Sequence, residues 1–338
     1  MQIENNVDLR PFNTFGLPIK AATLIHIRRE ADIHQVLAHP EYGRAPKFIL
    51  GGGSNIVPTC DLQSVVLKIE IMGRHMVQAT DQAWIVEAGA GENWPDLVAW
   101  TLENDFPGLE NLALIPGTAG AAPIQNIGAY GIELKDRFLS LDAVDLKTGR
   151  SFSLAAEQCG FDYRDSIFKR NLSGRCMITR VRLHLPKNWK PVLDYPDLQR
   201  LRQDSGAARP CARQVYEWVC ALRRAKLPDP AMLGNAGSFF KNPIVNNKQH
   251  AAILACAPDM VSYPLPGGGF KLSAGWMIEA CGWKGRRIGN VGVYARQALV
   301  LINHGGASIQ ELMALAAAIQ DSVHQRFGIR LELEPTLI

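Results

Sequence analysis

Two glycine-rich stretches decide how this chain is read: Gly51-Gly-Gly-Ser-Asn55 and Pro123-Ile-Gln-Asn-Ile-Gly-Ala-Tyr-Gly131. Each follows an apolar, strand-like run, Phe48-Ile-Leu50 before the first and Leu112-Ala-Leu-Ile115 before the second. Glycine takes φ > 0 and lets backbone approach a ligand with no Cβ between them. Outward-turned N–H groups in such loops form anion-binding concavities. Two of them suit a diphosphate gripped from both sides, as in a dinucleotide cofactor. Neither is a P-loop, because no Gly-Lys-Ser/Thr follows. Neither has the Gly-x-Gly-x-x-Gly spacing and downstream acidic residue of a Rossmann turn. The expected cofactor is a dinucleotide held by some other fold.

Composition narrows the class. At 338 residues the chain exceeds one ordinary core, so two or three domains are expected. Hydrophobic content of 47% and charged content of 20% are those of a soluble globular protein. No apolar stretch is long enough for a transmembrane helix. The start, Met1-Gln-Ile-Glu-Asn-Asn6, has no basic segment and no apolar core, so no signal peptide is expected. The seven cysteines and eight histidines show neither a Cys-x-x-Cys pair nor metal-ligand spacing. Reduced thiols, a cytoplasmic location and no metal are the expectation. Net charge is only +4, with dispersed basic residues, which argues against a nucleic-acid surface. Most Lys and Arg read as solvated surface, and a minority should meet the phosphates of small ligands.

Periodicity gives a mixture of strands and helices. Residues 47–50, 65–67 and 84–86 read as short buried strands. Residues 141–146 and 151–154 read as a hairpin around Lys147-Thr-Gly149, and 177–185 as a strand stopped by Pro186. Trp94, Leu97, Val98 and Leu102 share one face of a helix with Pro95 in its first turn. Val215, Trp218, Val219 and Leu222 mark another, ending before Lys226. Near the C-terminus Ser308 and Glu311 form a capping box. There Leu312, Leu315, Ile319, Val323 and Phe327 make an apolar stripe, and Gly328 supplies the stop. The pattern changes across the polar, proline-bearing residues 186–210, which places a boundary near 190.

Pro116-Gly-Thr-Ala-Gly120, continued by residues 123–131, resembles the flavin-diphosphate loop of the UDP-N-acetylenolpyruvoylglucosamine reductase family. That family shares a flavoprotein superfamily with vanillyl-alcohol oxidase. Other blocks resemble its pattern in order: Asn13-Thr-Phe-Gly16, Phe161-Asp-Tyr-Arg-Asp-Ser-Ile-Phe-Lys169, Lys226-Leu-Pro-Asp-Pro230, Gly234-Asn-Ala-Gly-Ser-Phe-Phe-Lys-Asn-Pro243, Ser273-Ala-Gly-Trp276 and Ala298-Leu-Val-Leu-Ile-Asn303. The resemblance implies an α+β fold: a two-subdomain, PCMH-type FAD-binding domain over 1–190 and an α+β substrate-binding domain over 191–338. It also implies non-covalent FAD, NADPH as co-substrate, and reduction of UDP-N-acetylglucosamine enolpyruvate to UDP-N-acetylmuramate in peptidoglycan precursor synthesis. The implied enzyme is a cytoplasmic monomer with no nucleic-acid partner and no membrane insertion. Hydride from NADPH reaches the alkene by way of FAD, and an acid protonates the neighbouring carbon.

Site residues follow from the same resemblance. FAD contacts fall on Gly51, Gly52, Gly53, Ser54 and Asn55, then on Gly117, Gly120, Ala122, Pro123 and Gln125, and finally on Asn126, Gly128, Ala129 and Tyr130. Ser238 matches the family's proton donor; by itself it reads as a buried turn serine, since serine is a weak acid unless activated. Arg164 matches a catalytic position; its plain alternative is a surface pair with Asp165, worth little. A guanidinium is always charged and fits a carboxylate, which suits an enolate-like intermediate. The third residue is a glutamate, and Leu331-Glu-Leu-Glu-Pro335 offers Glu332 and Glu334. The family more often reads Glu-Val before an apolar-Gly pair. Strand alternation puts both glutamates on one face; spacing from Phe327 favours Glu334. Substrate contacts fall on Tyr163, Tyr195, Lys226, Asn242, Tyr263 and Gln297, with Tyr195 and Tyr263 typical of the branch that closes a substrate loop. Two other readings compete: an oxidase or dehydrogenase of the same superfamily, and a nucleotide-sugar-binding protein without flavin.

Overall fold

The computed structural model describes residues 1–338. Contacts divide them into two compact units, the first made of Met1–Val7, Lys20–Gly53 and Leu62–Arg223. Asp8–Ile19, Ser54–Asp61 and Arg224–Ile338 make the second. This division differs from the boundary expected near 190. Helices Pro196–Ser205 and Ala212–Lys226 bury Leu198, Val215, Val219 and Cys220 in the first unit's core. A polar, proline-bearing stretch reads as a linker because the residues its few apolar side chains meet lie far off in sequence.

Two sheets build the first unit. In one, Lys20–Ile27, Leu62–Ile69 and Lys47–Leu50 run parallel, with Gln2–Asp8 on the outer edge. Buried runs such as Leu24, Ile25 and Ile27, or Val65, Val66 and Leu67, are what a covered parallel sheet requires. The other sheet is antiparallel, in the order Ser151–Ala155, Phe138–Asp145, Cys176–Pro186, Ala83–Gly89 and Arg74–Ala79. The expected hairpin is its edge, with Gly149 at φ +71° in the turn. Helix Trp94–Glu103 begins at Asn93, whose side chain accepts from the Asp96 N–H at 3.1 Å. The run 112–115 is not a strand. Leu112 ends a short 3-10 turn, Leu114 sits at φ +54°, and the Trp94 indole donates to the Leu112 carbonyl at 3.0 Å.

In the second unit Gly234–Ser238, Val300–Asn303, Val291–Val293 and Arg287–Ile288 form an antiparallel sheet. A smaller sheet contains Ile244–Val245, Phe270–Leu272 and Ser262–Pro264. Helix Ile309–Phe327 buries Leu312, Leu315, Ile319 and Val323, starts on a reciprocal Ser308–Glu311 capping box, and stops at Gly328 with φ +69°. The chain end is tied down: Thr336–Leu337 pairs in parallel with Ile56–Val57.

Candidate active site

The two glycine loops meet in the first unit. A Cβ on Gly52 would lie 2.9 Å from the Gly117 Cα, and one on Gly51 would lie 3.0 Å from the Thr118 Oγ1. Only glycine allows backbone to touch backbone there. Thr118 Oγ1 is buried and has no hydrogen-bond partner in the protein. A buried hydroxyl left unpaired is costly, so a cradle of glycine backbone around an orphaned donor fits a bound phosphate group. Gly53 and Gly117 are at φ +65° and +127°. A Cβ on Gly120 would overlap the Ala90 Cβ at 2.5 Å, so close packing alone requires glycine there. Ala122 and Pro123 are buried.

Asn126, expected among the cofactor contacts, has its side chain engaged within the protein. It is fully buried; its Nδ2 donates to Glu133 Oε2 at 2.9 Å and to the Asp162 carbonyl at 3.1 Å, and its Oδ1 accepts from the Lys135 N–H at 3.0 Å. All three of these bonds go to protein. What it holds is the turn carrying Tyr163 and Arg164. Asp162 and Asp165 exchange backbone hydrogen bonds of 3.0 and 3.2 Å across that turn, and Ser166 Oγ donates to the Ile124 carbonyl at 2.6 Å. At the apex Arg164 is left-handed, φ +53°. A bulky residue held in that region is strained, and such strain gathers at functional sites. Its guanidinium donates to the Gly128 carbonyl at 3.0 Å and lies 5.4 Å from the Tyr163 ring centre. Asp165 pairs with Arg170, at 3.3 Å.

Tyr130 and Tyr195 come together edge to face, ring centres 5.0 Å apart. Burial pushes the Tyr130 phenol up to about 12, against the opposing pull of Arg223. Arg223 is the residue that sequence reasoning missed here. Its Nε is sealed from solvent with no partner. Burial lowers its pKa, against the opposing pull of Tyr130 and Cys220, and Arg164 adds a smaller push in the same direction as burial. A buried guanidinium N–H without a partner is suited to an anion. The available signal was spacing: Arg223 lies three residues before Lys226 on one helical face.

In the second unit Asn13-Thr-Phe-Gly16 packs on the strand that ends in Ser238. Thr14 Oγ1 donates to the Asn235 carbonyl at 2.7 Å, Asn303 Nδ2 donates to the Phe15 carbonyl at 2.9 Å, and a Cβ on Gly234 would strike the Phe15 carbonyl at 2.4 Å. The strand breaks register between Asn235 and Ser238. There Asn235 Oδ1 accepts from the Gly237 N–H at 3.0 Å and Gly237 takes φ +69°. This kink presents Ser238 at the strand's end, half-buried.

The two glutamates separate cleanly. Glu332 is 76% exposed at its side chain and pairs with Lys241 at 3.1 Å. Glu334 is buried, and its N–H donates to the carbonyl of Phe239, next to Ser238, at 3.0 Å. Asn55 adjoins it: the Thr336 N–H donates to the Asn55 carbonyl at 2.9 Å. Sequence alternation could not separate the pair because only Leu333 of this stretch is bridged, to Phe240. Of the substrate candidates, Asn242 Oδ1 accepts from the Ala274 N–H at 3.0 Å, and Gln297 Oε1 accepts from the Leu299 N–H at 3.3 Å. Tyr263 is 40% exposed with Lys271 Nζ 6.0 Å from its ring centre, and Lys226 closes its helix.

Comparison with known proteins fits this arrangement. Residues 21–155 match an FAD binding domain, and residues 229–338 match the UDP-N-acetylenolpyruvoylglucosamine reductase C-terminal domain. A UDP-N-acetylenolpyruvoylglucosamine reductase of an Azoarcus strain is 53% identical, covering 100% of this chain and 98% of its own. The Bordetella pertussis enzyme of that name is 52% identical, covering 98% and 94%. The chain belongs to the UDP-N-acetylenolpyruvoylglucosamine reductase family. It is thus an FAD-dependent oxidoreductase. The solved reductase of Thermus caldophilus shares the fold at TM-score 0.70 and 23% identity, over 100% of this chain and 99% of that one. The fold is also similar to that of 6-hydroxy-D-nicotine oxidase from Arthrobacter nicotinovorans, at TM-score 0.51 and 11% identity, over 97% and 86%. Full-length identity to reductases removes the reading as an oxidase of that superfamily. No helix is long and apolar enough to cross a membrane.

Proposed function

We propose that the chain reduces UDP-N-acetylglucosamine enolpyruvate to UDP-N-acetylmuramate with NADPH as donor, in the cytoplasm. The observation that carries this reading is the full-length likeness to reductases, joined to the backbone pairing of Glu334 beside Ser238. FAD, when bound, supplies hydride transfer between NADPH and the enolpyruvyl double bond. The glycine loops, with Gly51 to Asn55 on one side and Gly117 and Thr118 on the other, hold its diphosphate non-covalently.

The protein's share is orientation, charge and one proton. Hydride arriving at one alkene carbon pushes charge toward the carboxylate. Arg164, already fixed by its turn, faces that charge in a site where donors need no reorganisation. Arg223 adds a second cation for the same anionic group. Ser238 gives its proton to the neighbouring carbon, which completes the addition of two electrons and two hydrogens. Glu334, its backbone locked beside Ser238, orients the hydroxyl. Lys226, Asn242, Tyr263 and Gln297 hold the nucleotide sugar, with Tyr163 and Tyr195 as further substrate contacts.

The test is spectroscopic. Purified protein should be yellow, bleach with NADPH under anaerobic conditions, and recover colour on addition of the enolpyruvyl sugar. Bleaching without recovery would sink the substrate assignment, and a colourless preparation that takes up no FAD would sink the whole reading.

A further inference from the structure

Behind the first glycine loop stands a cation that the proposed reaction does not use. Lys68 lies on strand Leu62–Ile69, opposite Leu50, the last strand residue before the loop. Its Nζ donates to the Gly51 carbonyl at 2.6 Å and enters no ion pair. Glu70, two residues along, has its carboxylate engaged by His26 at 2.9 Å and Arg28 at 3.2 Å. A half-buried ammonium with one carbonyl partner and no carboxylate paired to it is unfavourable on its own; burial lowers its pKa, and the charge of Glu70 opposes this only in part.

The hydrogen bond also has a directional consequence. In a trans peptide the C=O and the following N–H point opposite ways. Holding the Gly51 carbonyl toward Lys68 therefore aims the Gly52 N–H away from it. That N–H donates to no group in the protein. Gly52 is also the residue whose Cα side meets Gly117. An unpaired amide, a fixed peptide plane and a half-buried cation behind it are the parts of an anion nest.

We propose that Lys68 is a positioning residue for FAD: it locks the Gly51–Gly52 peptide so that the amide faces the cofactor diphosphate, and it lends that diphosphate positive charge from beneath. This rests on the reading that the glycine loops hold the diphosphate. The experiment follows release of FAD from diluted holoenzyme, by the return of free-flavin fluorescence, in Lys68→Arg, Lys68→Gln, Lys68→Met and Gly52→Val at low and high salt. Lys68→Gln keeps a donor and loses the charge, so it should release FAD about tenfold more readily, with Lys68→Arg near the unsubstituted enzyme and Lys68→Met weakest. Salt should weaken FAD retention in the unsubstituted enzyme and Lys68→Arg more than in Lys68→Gln. A purely structural lysine would not give that salt difference. Equal retention by all three Lys68 variants, or a flat salt dependence of the unsubstituted enzyme, overturns the proposal. If Gly52→Val loses FAD while the Lys68 series does not, Lys68 alone is wrong. Should Gly52→Val also retain FAD, the loop assignment beneath it fails.

Discussion

Glu332 and Glu334 show what two residues of separation can mean when the backbone is not a regular strand. One carboxylate is in solvent with Lys241, the other is buried with its N–H bonded to Phe239. An exposed ion pair contributes about 0–1 kcal/mol, so Glu332→Gln should leave both stability and turnover close to normal. Glu334→Gln keeps the shape and removes the charge; turnover should fall by roughly 10²-fold or more if the carboxylate orients the proton donor. Steady-state kinetics on the two folded variants compares them directly. Greater damage from Glu332→Gln would reverse the assignment. Gly53→Val belongs to the same scale: at φ +65° a branched residue is strained, and the variant should purify with little or no FAD, measured as the ratio of flavin absorbance to protein.

Among elements, the turn from Asp162 to Asp165 depends on a side chain far from it in sequence. Asn126 donates to the Asp162 carbonyl and joins it to the second glycine loop. Removing it with Asn126→Ala takes three hydrogen bonds from a buried side chain and its partly exposed partners, at a cost of about 1–3 kcal/mol, and frees the turn that strains Arg164. Urea unfolding should register the loss. FAD content should change less than catalysis, because the side chain contacts protein only; equal loss of both would place Asn126 against the cofactor. The helices and most strands were legible beforehand because their periodicity and caps are local. The Ser308 capping box and the Lys147-Thr-Gly149 turn need no distant partner. The run 112–115 was misread because a positive φ at Leu114 and the Trp94 indole bond are tertiary choices that apolarity does not reveal. The boundary moved from 190 to Arg223 for the same reason: Val215 and Val219 look alike whichever core receives them.

Over the whole molecule, charge sets an acid limit on stability. Burial would raise the Asp142 pKa, but hydrogen bonds from Arg182 and Ser153 and the charges of Arg182 and Arg180 hold it below the ordinary value. Glu70 is lowered in the same way, by His26 and Arg28 acting against burial. A carboxylate depressed in the folded state contributes stability that is complete above its unfolded pKa, about 4. That contribution is lost as pH falls through the folded value. Unfolding free energy should therefore hold from neutrality to about pH 5 and decline below it. Asp142→Asn should flatten this acid limb in urea titrations, and an unaltered limb would show that the pair contributes nothing. Much of the candidate site was legible too, because glycine loops and the Arg164 and Ser238 blocks are contiguous words. Thr118, Lys68 and Arg223 were not, since a hydroxyl, a strand lysine and a helical arginine gain meaning only from what surrounds them. The most direct test of the central claim separates the two half-reactions in Ser238→Ala. Reduction of the flavin by NADPH places no proton on carbon, so stopped-flow bleaching should proceed at nearly the normal rate. With Ser238 as the proposed acid, reoxidation by the enolpyruvyl sugar should slow by about 10²–10⁴-fold, with partial recovery in Ser238→Cys. Equal slowing of both halves, or near-normal reoxidation in Ser238→Ala, would contradict the role of Ser238 as the acid.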